Sequence, residues 1–451
     1  MSSALLGLSL PAFAERLREE GIRRFYVATR PGGEVIASHP ALATLADHVA
    51  ADPIDYDGHE GFFAELCPRT GVLFGACIHR TRRGQAAGGV RFWGYPDVTA
   101  FLRDGLRLAL GMTLKNALAG LWWGGGKGLM ARGMNPREDN PEVRTQIYEG
   151  YGRFISSLRG SYVTAEDVGT SVQDMAAVFR TTRFTTCIPE SFGGSGNPSV
   201  PTAHGVVCGM EAALAHLERG DLRGKVVAVQ GLGHVGEPLV ARLHALGVAR
   251  VIGSDVDPSL ASLAARYPRL EVRIVPRGDT SIASAPADVF APCAVGGVLD
   301  AQVIATLGAT IVCGAANNQL RDPIADAQRL HARGVTYVPD FLVNRMGIVQ
   351  CADEASGFVP DDPRFEAHLG RTDEGAIYPL TRRVLDEAKA RDRPAAEIAH
   401  RMAVARSMQP HPIWGGHRAQ RIIDGLIAEG WAHREPESSS STSPTIDLDQ
   451  N

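Results

Sequence analysis

The chain has 451 residues, enough for two separately cored domains, because single cores usually stop growing near about 250–300 residues. Its formal net charge is -4 with 21% charged residues, which excludes the basic footprint of a nucleic-acid or anionic-membrane binder and leaves a small molecule as partner. Its seven scattered cysteines form no Cys-x-x-Cys pair and read as reduced thiols of a cytoplasmic protein, with neither a zinc site nor a disulfide framework.

In chain order, Ala4-Leu5-Leu6-Gly7-Leu8 before Ala12-Phe13-Ala14 superficially resembles a secretory segment. No Lys or Arg precedes Arg16, so an amphipathic helix capped near Ser9 is the better reading. Residues 11–48 then carry a helix, a Phe25-Tyr26-Val27-Ala28 strand, a Gly32-Gly33 turn and a short helix. Residues 1–54 are read as an N-terminal extension. The apolar run Val72-Leu73-Phe74-Gly75-Ala76-Cys77-Ile78 is a buried strand, ended by a basic turn at 80–84. Within 97–121, Val98, Leu102, Leu106 and Ala109 recur at helical spacing and make one buried stripe that ends near Lys115. Gly120 and Gly124-Gly125-Gly126 then break the chain.

The middle of the chain alternates strands and helices. Lys225-Val226-Val227-Ala228-Val229-Gln230 is a strand, Gly231-Leu232-Gly233-His234-Val235-Gly236 a glycine turn, 237–246 a helix and Arg250-Val251-Ile252-Gly253-Ser254 a second strand. Ala287-Asp288-Val289-Phe290, Thr310-Ile311-Val312-Cys313 and Thr336-Tyr337-Val338-Pro339 extend the sheet. The fold class is therefore α/β, with a Rossmann-type dinucleotide-binding domain at residues 202–344 following a substrate-binding and catalytic domain at 55–201. Further helices are expected at 395–408 and 420–429. The Ser-rich segment 435–451 has almost no apolar content and reads as disordered.

The glycine turn has the context that makes Gly-x-Gly-x-x-Gly informative. Gly231 permits a tight turn after a strand, Gly233 lets the backbone approach a pyrophosphate, and Gly236 allows close packing of the helix whose N-terminus faces the anion. Asp255 ends the next strand about twenty residues on, where a carboxylate accepts from ribose hydroxyls and repels a 2'-phosphate; Asp257 adds to that sign. NAD is the expected cofactor. His79, His204 and His234 lack metal-ligand spacing, and no metal is expected.

Chemistry concentrates earlier in the chain. Gly111-Met112-Thr113-Leu114-Lys115 leads into Gly124-Gly125-Gly126-Lys127 and is answered by Thr164-Ala165-Glu166-Asp167. Two lysines and an acid suit a site that grips a carboxylate, polarises a carbonyl-like carbon and shuttles a proton. Lysine is usually a solvated charge, but Lys127 lies between Trp122-Trp123 with three glycines and Gly128-Leu129-Met130, where an ammonium without a purpose is costly. Desolvation and a second cation both disfavour its charged form, which lets it act near neutrality.

Together with Gly88-Gly89-Val90-Arg91, Gly194-Ser195-Gly196-Asn197-Pro198 and Gly314-Ala315-Ala316-Asn317-Asn318-Gln319-Leu320, these motifs resemble the glutamate/leucine/phenylalanine/valine dehydrogenase family, its leucine-specific branch above all. The resemblance runs from about Asp55 to about Glu354. It implies that Lys127 polarises the reacting carbon and activates water, that Asp167 exchanges protons with the substrate amine, and that Lys115 holds the α-carboxylate, aided by the N–H groups of Gly88 and Gly89. It also implies that Ala87, Met112, Asn318, Ile348 and Cys351 lie at the substrate, and that Thr202, Val235, Cys293, Ala294 and Asn317 join Gly231, Gly233, Gly236 and Asp255 at the cofactor. Thr202 is equally well explained as a helix cap. Glu166 is as readily a structural ion-pair partner as a participant and stays outside the set. Helices of residues 345–434 are expected, by the same resemblance, to pack back on the first domain.

Departures from the family pattern bear on specificity. Glutamate-using relatives have a lysine at the position of Ala87 and a serine at that of Cys351; without them, burying a side-chain carboxylate costs several kcal/mol. An apolar amino acid, branched-chain or aromatic, is favoured. Arg345-Met346 replace a small pair after Asn344, and Trp122-Trp123 replace smaller or polar residues, so the pocket's shape stays open. The expected activity is reversible, NAD-dependent oxidative deamination of an apolar L-amino acid to its 2-oxo acid and ammonia, by a cytoplasmic homo-oligomer. The alternatives are a glutamate-type enzyme and a nucleotide-binding regulatory protein that kept the fold without the chemistry; the retained Lys115, Lys127 and Asp167 speak against the second.

Overall fold

The structure, a computed structural model, describes residues 3–435; the tail expected to be disordered lies outside the described residues but for Glu435. The chain forms two compact units, one of residues up to Ala117, Leu121–Asn197 and Ser407 onward, the other of Leu118–Gly120 and Pro198–Arg406.

The first unit is built on a mixed sheet of β1 (Arg24–Thr29), β2 (Val35–Ala37), β3 (Gly61–Leu66), β4 (Leu73–Arg80), β5 (Ala86–Ala87), β6 (Val90–Trp93), β7 (Gly124–Ala131) and β8 (Tyr162–Val163). The strand order is β2-β1-β3-β4-β7-β5-β8, with β6 also paired to β7. β4 is apolar on both faces and nearly all buried, so it needs cover on both sides. Helix Val98–Leu118 covers one side: a methyl on Gly75 would meet Phe101 and Phe62 at 3.1 Å, and Val98, Leu102, Leu106 and Ala109 are buried as their spacing predicts. Helix Pro141–Ser157 contributes Tyr151, whose ring meets Phe74 edge-on at 5.6 Å.

The described residues up to 54 are not an extension but part of the first unit's core. β1 pairs antiparallel with β3, Arg24 opposite Glu65, and helix Leu10–Glu19 buries Leu10, Phe13, Ala14 and Leu17 in the same core. The aligned register brings Arg24 Nε within 2.7 Å of Glu65 Oε2, a buried ion pair that neither residue would sustain alone. Ser9 holds the N-cap position of that helix, but its side chain makes no capping bond.

The second unit holds β9 (Val226–Gln230), β10 (Arg250–Asp255), β11 (Leu270–Ile274), β12 (Ala287–Pro292), β13 (Ala309–Val312) and β14 (Thr336–Tyr337), all parallel, in the order β11-β10-β9-β12-β13-β14. This is the doubly wound dinucleotide topology, whose ligands sit at the carboxyl ends of the strands where the order reverses. Residues 345–406 stay with this unit and do not return to the first. The reason is the apolar stripe Ile377, Leu380, Val384, Leu385 and Ala388 of helix Ile377–Arg391, which packs on helix Ser199–His216; a methyl on Gly205 there would meet Ile377 Cδ1 at 2.8 Å. Only the segment from Ser407 rejoins the first unit, where Trp431 packs edge-on against Phe63 and donates its indole N–H to Ser157 Oγ at 3.1 Å.

No helix among the described residues is long and apolar enough to cross a membrane, and none of their His, Cys, Asp and Glu residues group in threes to hold a metal ion.

Candidate active site

The first unit's site grows out of an interruption in its sheet. β5 pairs with β7 as Ala86 with Gly124 and Ala87 with Gly125, and β6 resumes as Val90 with Gly128. Gly88 and Gly89 fall in the gap, level with Gly126 and Lys127. On the other side Ala87 pairs with Val163 and Val90 bridges to Glu166. The backbones approach so closely that a methyl on Gly88 would lie 2.0 Å from Gly126 O and 2.9 Å from Met112 Cγ, which explains the glycine. The Gly88 N–H is spent on Val163 O at 3.2 Å, and Tyr162 donates its hydroxyl to Gly88 O at 2.5 Å. The expectation that both glycine N–H groups bind a carboxylate therefore fails for Gly88, because the parallel ladder claims it.

Lys127 projects from β7, 3% exposed, and its ammonium contacts the Asp167 carboxylate. Burial first, then the positive charges of Arg91 and Lys115, push Lys127 well below the ordinary lysine range, with Asp104 acting in the opposite direction. The Asp167 loop is fixed by Thr170, whose Oγ1 accepts from Asp167 N at 2.9 Å and donates to Asp167 O at 2.7 Å. Lys115 lies in the last turn of helix Val98–Leu118, 8% exposed, and Ala87 is buried in β5. Ala87, Gly88, Gly89, Met112, Lys115, Lys127 and Asp167 are thus brought together in one unit. The chemistry available there is a basic amine and a carboxylate able to exchange a proton, with a second cation nearby.

Three members escaped the sequence reading. Arg91 Nη1 holds both oxygens of Asp104 at 3.0 and 3.1 Å, Tyr95 donates to Asp104 Oδ2 at 2.8 Å, and Arg91 Nε, buried without a hydrogen bond, lies 3.9 Å from Asp167 Oδ2. Arg91 ends the Gly88-Gly89-Val90-Arg91 motif, which was a signal; Asp104 and Tyr95 gave none. Glu166 is not an ion-pair partner among the described residues. Its Oε2 is buried without a hydrogen bond, and burial, then Asp174, push its carboxyl up to about 7.

In the second unit, Gly231 follows β9 at φ +92°, and a methyl on it would meet Ala294 N at 2.9 Å; one on Gly236 would lie 2.0 Å from Gly231 O. Gly233 faces open space, the room a pyrophosphate requires, ahead of helix Gly236–Ala245 with Val235 at its N-cap position. Asp255 ends β10, its Oδ2 accepting from Leu232 N at 2.7 Å and its Oδ1 from Val256 N at 2.7 Å and Asp257 N at 3.0 Å. These bonds tie the acid to the glycine turn. Cys293 N donates to Gln230 O at 2.7 Å, so Cys293 and Ala294 follow β12 beside the turn. Asn317 Oδ1 accepts from Asn344 Nδ2 at 2.9 Å, while Asn344 Oδ1 is buried and unpaired. Asn318 adopts φ +52° and donates its N–H to Asp340 Oδ2 at 2.8 Å. Glycine turn, acid at the strand end and orphaned amide oxygen fit a dinucleotide.

Thr202 is not a helix cap: Pro198 holds that position of helix Ser199–His216, and Thr202 Oγ1 donates to Pro198 O at 2.8 Å. Ile348 and Cys351 are buried on helix Met346–Gly357. Arg345, fully buried, donates Nη1 to Leu118 O at 2.7 Å and Nη2 to Gly375 O, and burial brings it down to about 9. Met346 packs toward Gly205. Both side chains are thereby committed to the second unit's interior. Trp122 and Trp123 line a separate cavity of the first unit.

Residues 74–184 match the model of the Glu/Leu/Phe/Val dehydrogenase dimerisation domain, and residues 193–411 that of the glutamate/leucine/phenylalanine/valine dehydrogenase domain. The chain is 40% identical over 330 residues to a leucine dehydrogenase of Geobacillus stearothermophilus, covering 73% of this chain and 85% of that one. It is 41% identical over 355 residues to a valine dehydrogenase of Streptomyces albus, covering 78% and 93%. The crystal structure of L-tryptophan dehydrogenase from Nostoc punctiforme superposes with a TM-score of 0.61 at 30% identity, over 81% of this chain and 97% of that one.

Proposed function

The chain belongs to the glutamate/leucine/phenylalanine/valine dehydrogenase family, a family of oxidoreductases, and on that footing we propose that it catalyses the reversible oxidative deamination of an apolar L-amino acid with NAD. Amino acid in its ammonium form, NAD and water give 2-oxo acid, ammonium, NADH and a proton. The observation that carries this reading is the contact of buried Lys127 with Asp167 beside Gly89.

Lys115 holds the α-carboxylate as a fixed cation, with the Gly89 N–H as second donor. Asp167 takes a proton from the substrate ammonium, leaving a neutral amine whose lone pair assists loss of hydride from the α-carbon. Bound NAD supplies the hydride acceptor. Lys127, whose proton affinity burial and Arg91 lower, removes a proton from the water that adds to the iminium carbon. Asp167 then returns its proton to the nitrogen, the C–N bond breaks as ammonia leaves, and the hydroxyl on the same carbon gives its proton to water to leave the 2-oxo acid. Gly231, Gly233, Val235, Gly236, Cys293 and Ala294 are the groups that would hold the dinucleotide, Asp255 its ribose, and Thr202 and Asn317 the nicotinamide end.

Ala87 and Cys351 offer no cation to a distal carboxylate, which favours leucine-, valine- or tryptophan-like side chains over glutamate. A nucleotide-binding regulator would have no use for a desolvated lysine against an aspartate. The match of residues 74–184 to a dimerisation domain supports a homo-oligomer, and seven free cysteines support a cytoplasmic setting. Formation of NADH on mixing the enzyme with NAD and L-leucine, L-valine, L-phenylalanine or L-tryptophan tests the proposal; silence with all of them refutes it.

A further inference from the structure

We propose that the first unit carries a second small-molecule site, taking a planar aromatic carboxylate, in the cavity of about 380 Å³ that Trp122 and Trp123 share with the returning segment around His411 and Trp414. The volume falls within the range of about 300–1,000 Å³ that ligand pockets occupy. The site is independent of the reaction assigned to Lys127.

Its walls are aromatic. Trp122 is held in place by Arg83, whose guanidinium lies 4.1 Å from the indole centroid while its Nε donates to Leu121 O at 2.8 Å and its Nη1 to Gln409 Oε1 at 2.7 Å. The ring nevertheless stays 41% exposed. The His411 ring follows at 5.7 Å, Trp414 stacks on it at 6.4 Å and is 58% exposed, and Phe184 completes the lining. Rings fixed by their neighbours yet left facing a cavity offer π-faces to a flat ligand at little cost in ordering.

The charge in the cavity is of one sign. Arg159, Arg183 and Arg418 line it, and among the described residues no Asp or Glu does. Arg159 is already held at both nitrogens by Glu429, at 2.9 and 2.7 Å. Arg183 and Arg418 instead stack on Phe184 and Trp414, at 5.0 and 4.4 Å, and form no ion pair with a carboxylate among the described residues. A guanidinium stacked on a ring keeps its N–H edge for an anion, and a ligand carboxylate is accepted bidentately in that geometry. An aromatic ring laid against the row of Trp122, His411 and Trp414 with its carboxylate toward Arg418 answers both features at once. An aliphatic acid answers only the second.

Calorimetric titration of the full-length enzyme with indole-3-propionate tests this, with indole-3-propionamide and hexanoate as the uncharged and the non-aromatic controls. Wild type is expected to show one site per chain that Trp414→Ala and Arg418→Gln weaken at least ten-fold, while both variants keep wild-type kcat/KM for reductive amination. The amide and hexanoate should bind that site at least ten-fold more weakly. Isotherms identical in wild type and both variants, as binding at the substrate site alone would give, overturn the proposal. So does an amide that binds as tightly as the acid. Arg418 is largely exposed, so its variant remains informative should the tryptophan variant fail to fold.

Discussion

Gly89 and Asp167 stand so close that a methyl on the glycine would lie 2.7 Å from the aspartate Cβ and 2.7 Å from Glu166 O. Asp167 is where it is because residue 89 has no side chain. Gly89→Ala should displace the loop that aims Asp167 at Lys127, an overpacking that costs about 1–3 kcal/mol in comparable cores. We expect kcat to fall by at least ten-fold while NADH affinity, measured by fluorescence titration, stays within about two-fold, since Gly89 lies in the other unit from the dinucleotide turn. Parental turnover would show that the contact is not used.

Lys127→Ala and Asp167→Asn should each lower kcat by about 100-fold or more, the scale of losing a general base or acid. Rapid-quench measurement of a single turnover separates this from slow product release. If Asp167→Asn kept the parental rate and pH profile, another group must move the proton.

Arg91→Gln removes a positive charge that lowers Lys127 and releases Asp104, whose charge raises it. Both changes act in one direction. The lysine then holds its proton to higher pH, so the rising limb of kcat/KM against pH should move to higher pH. A limb that stays put or moves lower would separate Arg91 from the lysine's titration.

Glu166 offers a stability test. Its carboxyl is pushed from 4.5 up to about 7, first by burial and then by Asp174. A folded-state value above the unfolded one contributes stability that is fully present below about 4.5 and is lost as pH rises through about 7. Glu166→Gln escapes that loss, so its advantage over the parent in urea unfolding should grow from pH 5 to pH 8, by about 1–2 kcal/mol after allowing for partial solvent exposure. An advantage independent of pH would mean that Glu166 ionises normally.

Asp255→Ala removes an acceptor that also ties the glycine turn through Leu232 N. NAD affinity should fall by at least ten-fold and the gap to NADP should narrow, as two-cofactor titrations would read. Unchanged affinities for both would place Asp255 outside the site.

Much of this was legible in the chain where the signal is local. The stripe Val98, Leu102, Leu106 and Ala109 and the turn at Gly231, Gly233 and Gly236 each declare themselves within about three turns of backbone. Long-range pairing does not: β1 was visible, but its partner β3 was not, and so residues 1–54 read as an extension. β11, Leu-Glu-Val-Arg-Ile at the sheet edge, carries charges that hide a strand. Arg91, Asp104 and Tyr95 meet from a strand, a helix and the loop between them, a convergence that spacing does not reveal. Trp122-Trp123 and Arg345-Met346 were visible as departures, yet their surroundings come from distant segments.

The most direct measurement of the central claim is NADH consumption with ammonia across 4-methyl-2-oxopentanoate, 3-methyl-2-oxobutanoate, phenylpyruvate, indolepyruvate and 2-oxoglutarate. At least one apolar acid should exceed 2-oxoglutarate in kcat/KM by about 100-fold, the scale of burying a large apolar side chain set against burying an unpaired carboxylate. A preference for 2-oxoglutarate would contradict the assignment of an apolar substrate, and no NADH consumption with any of the five would contradict the dehydrogenase itself.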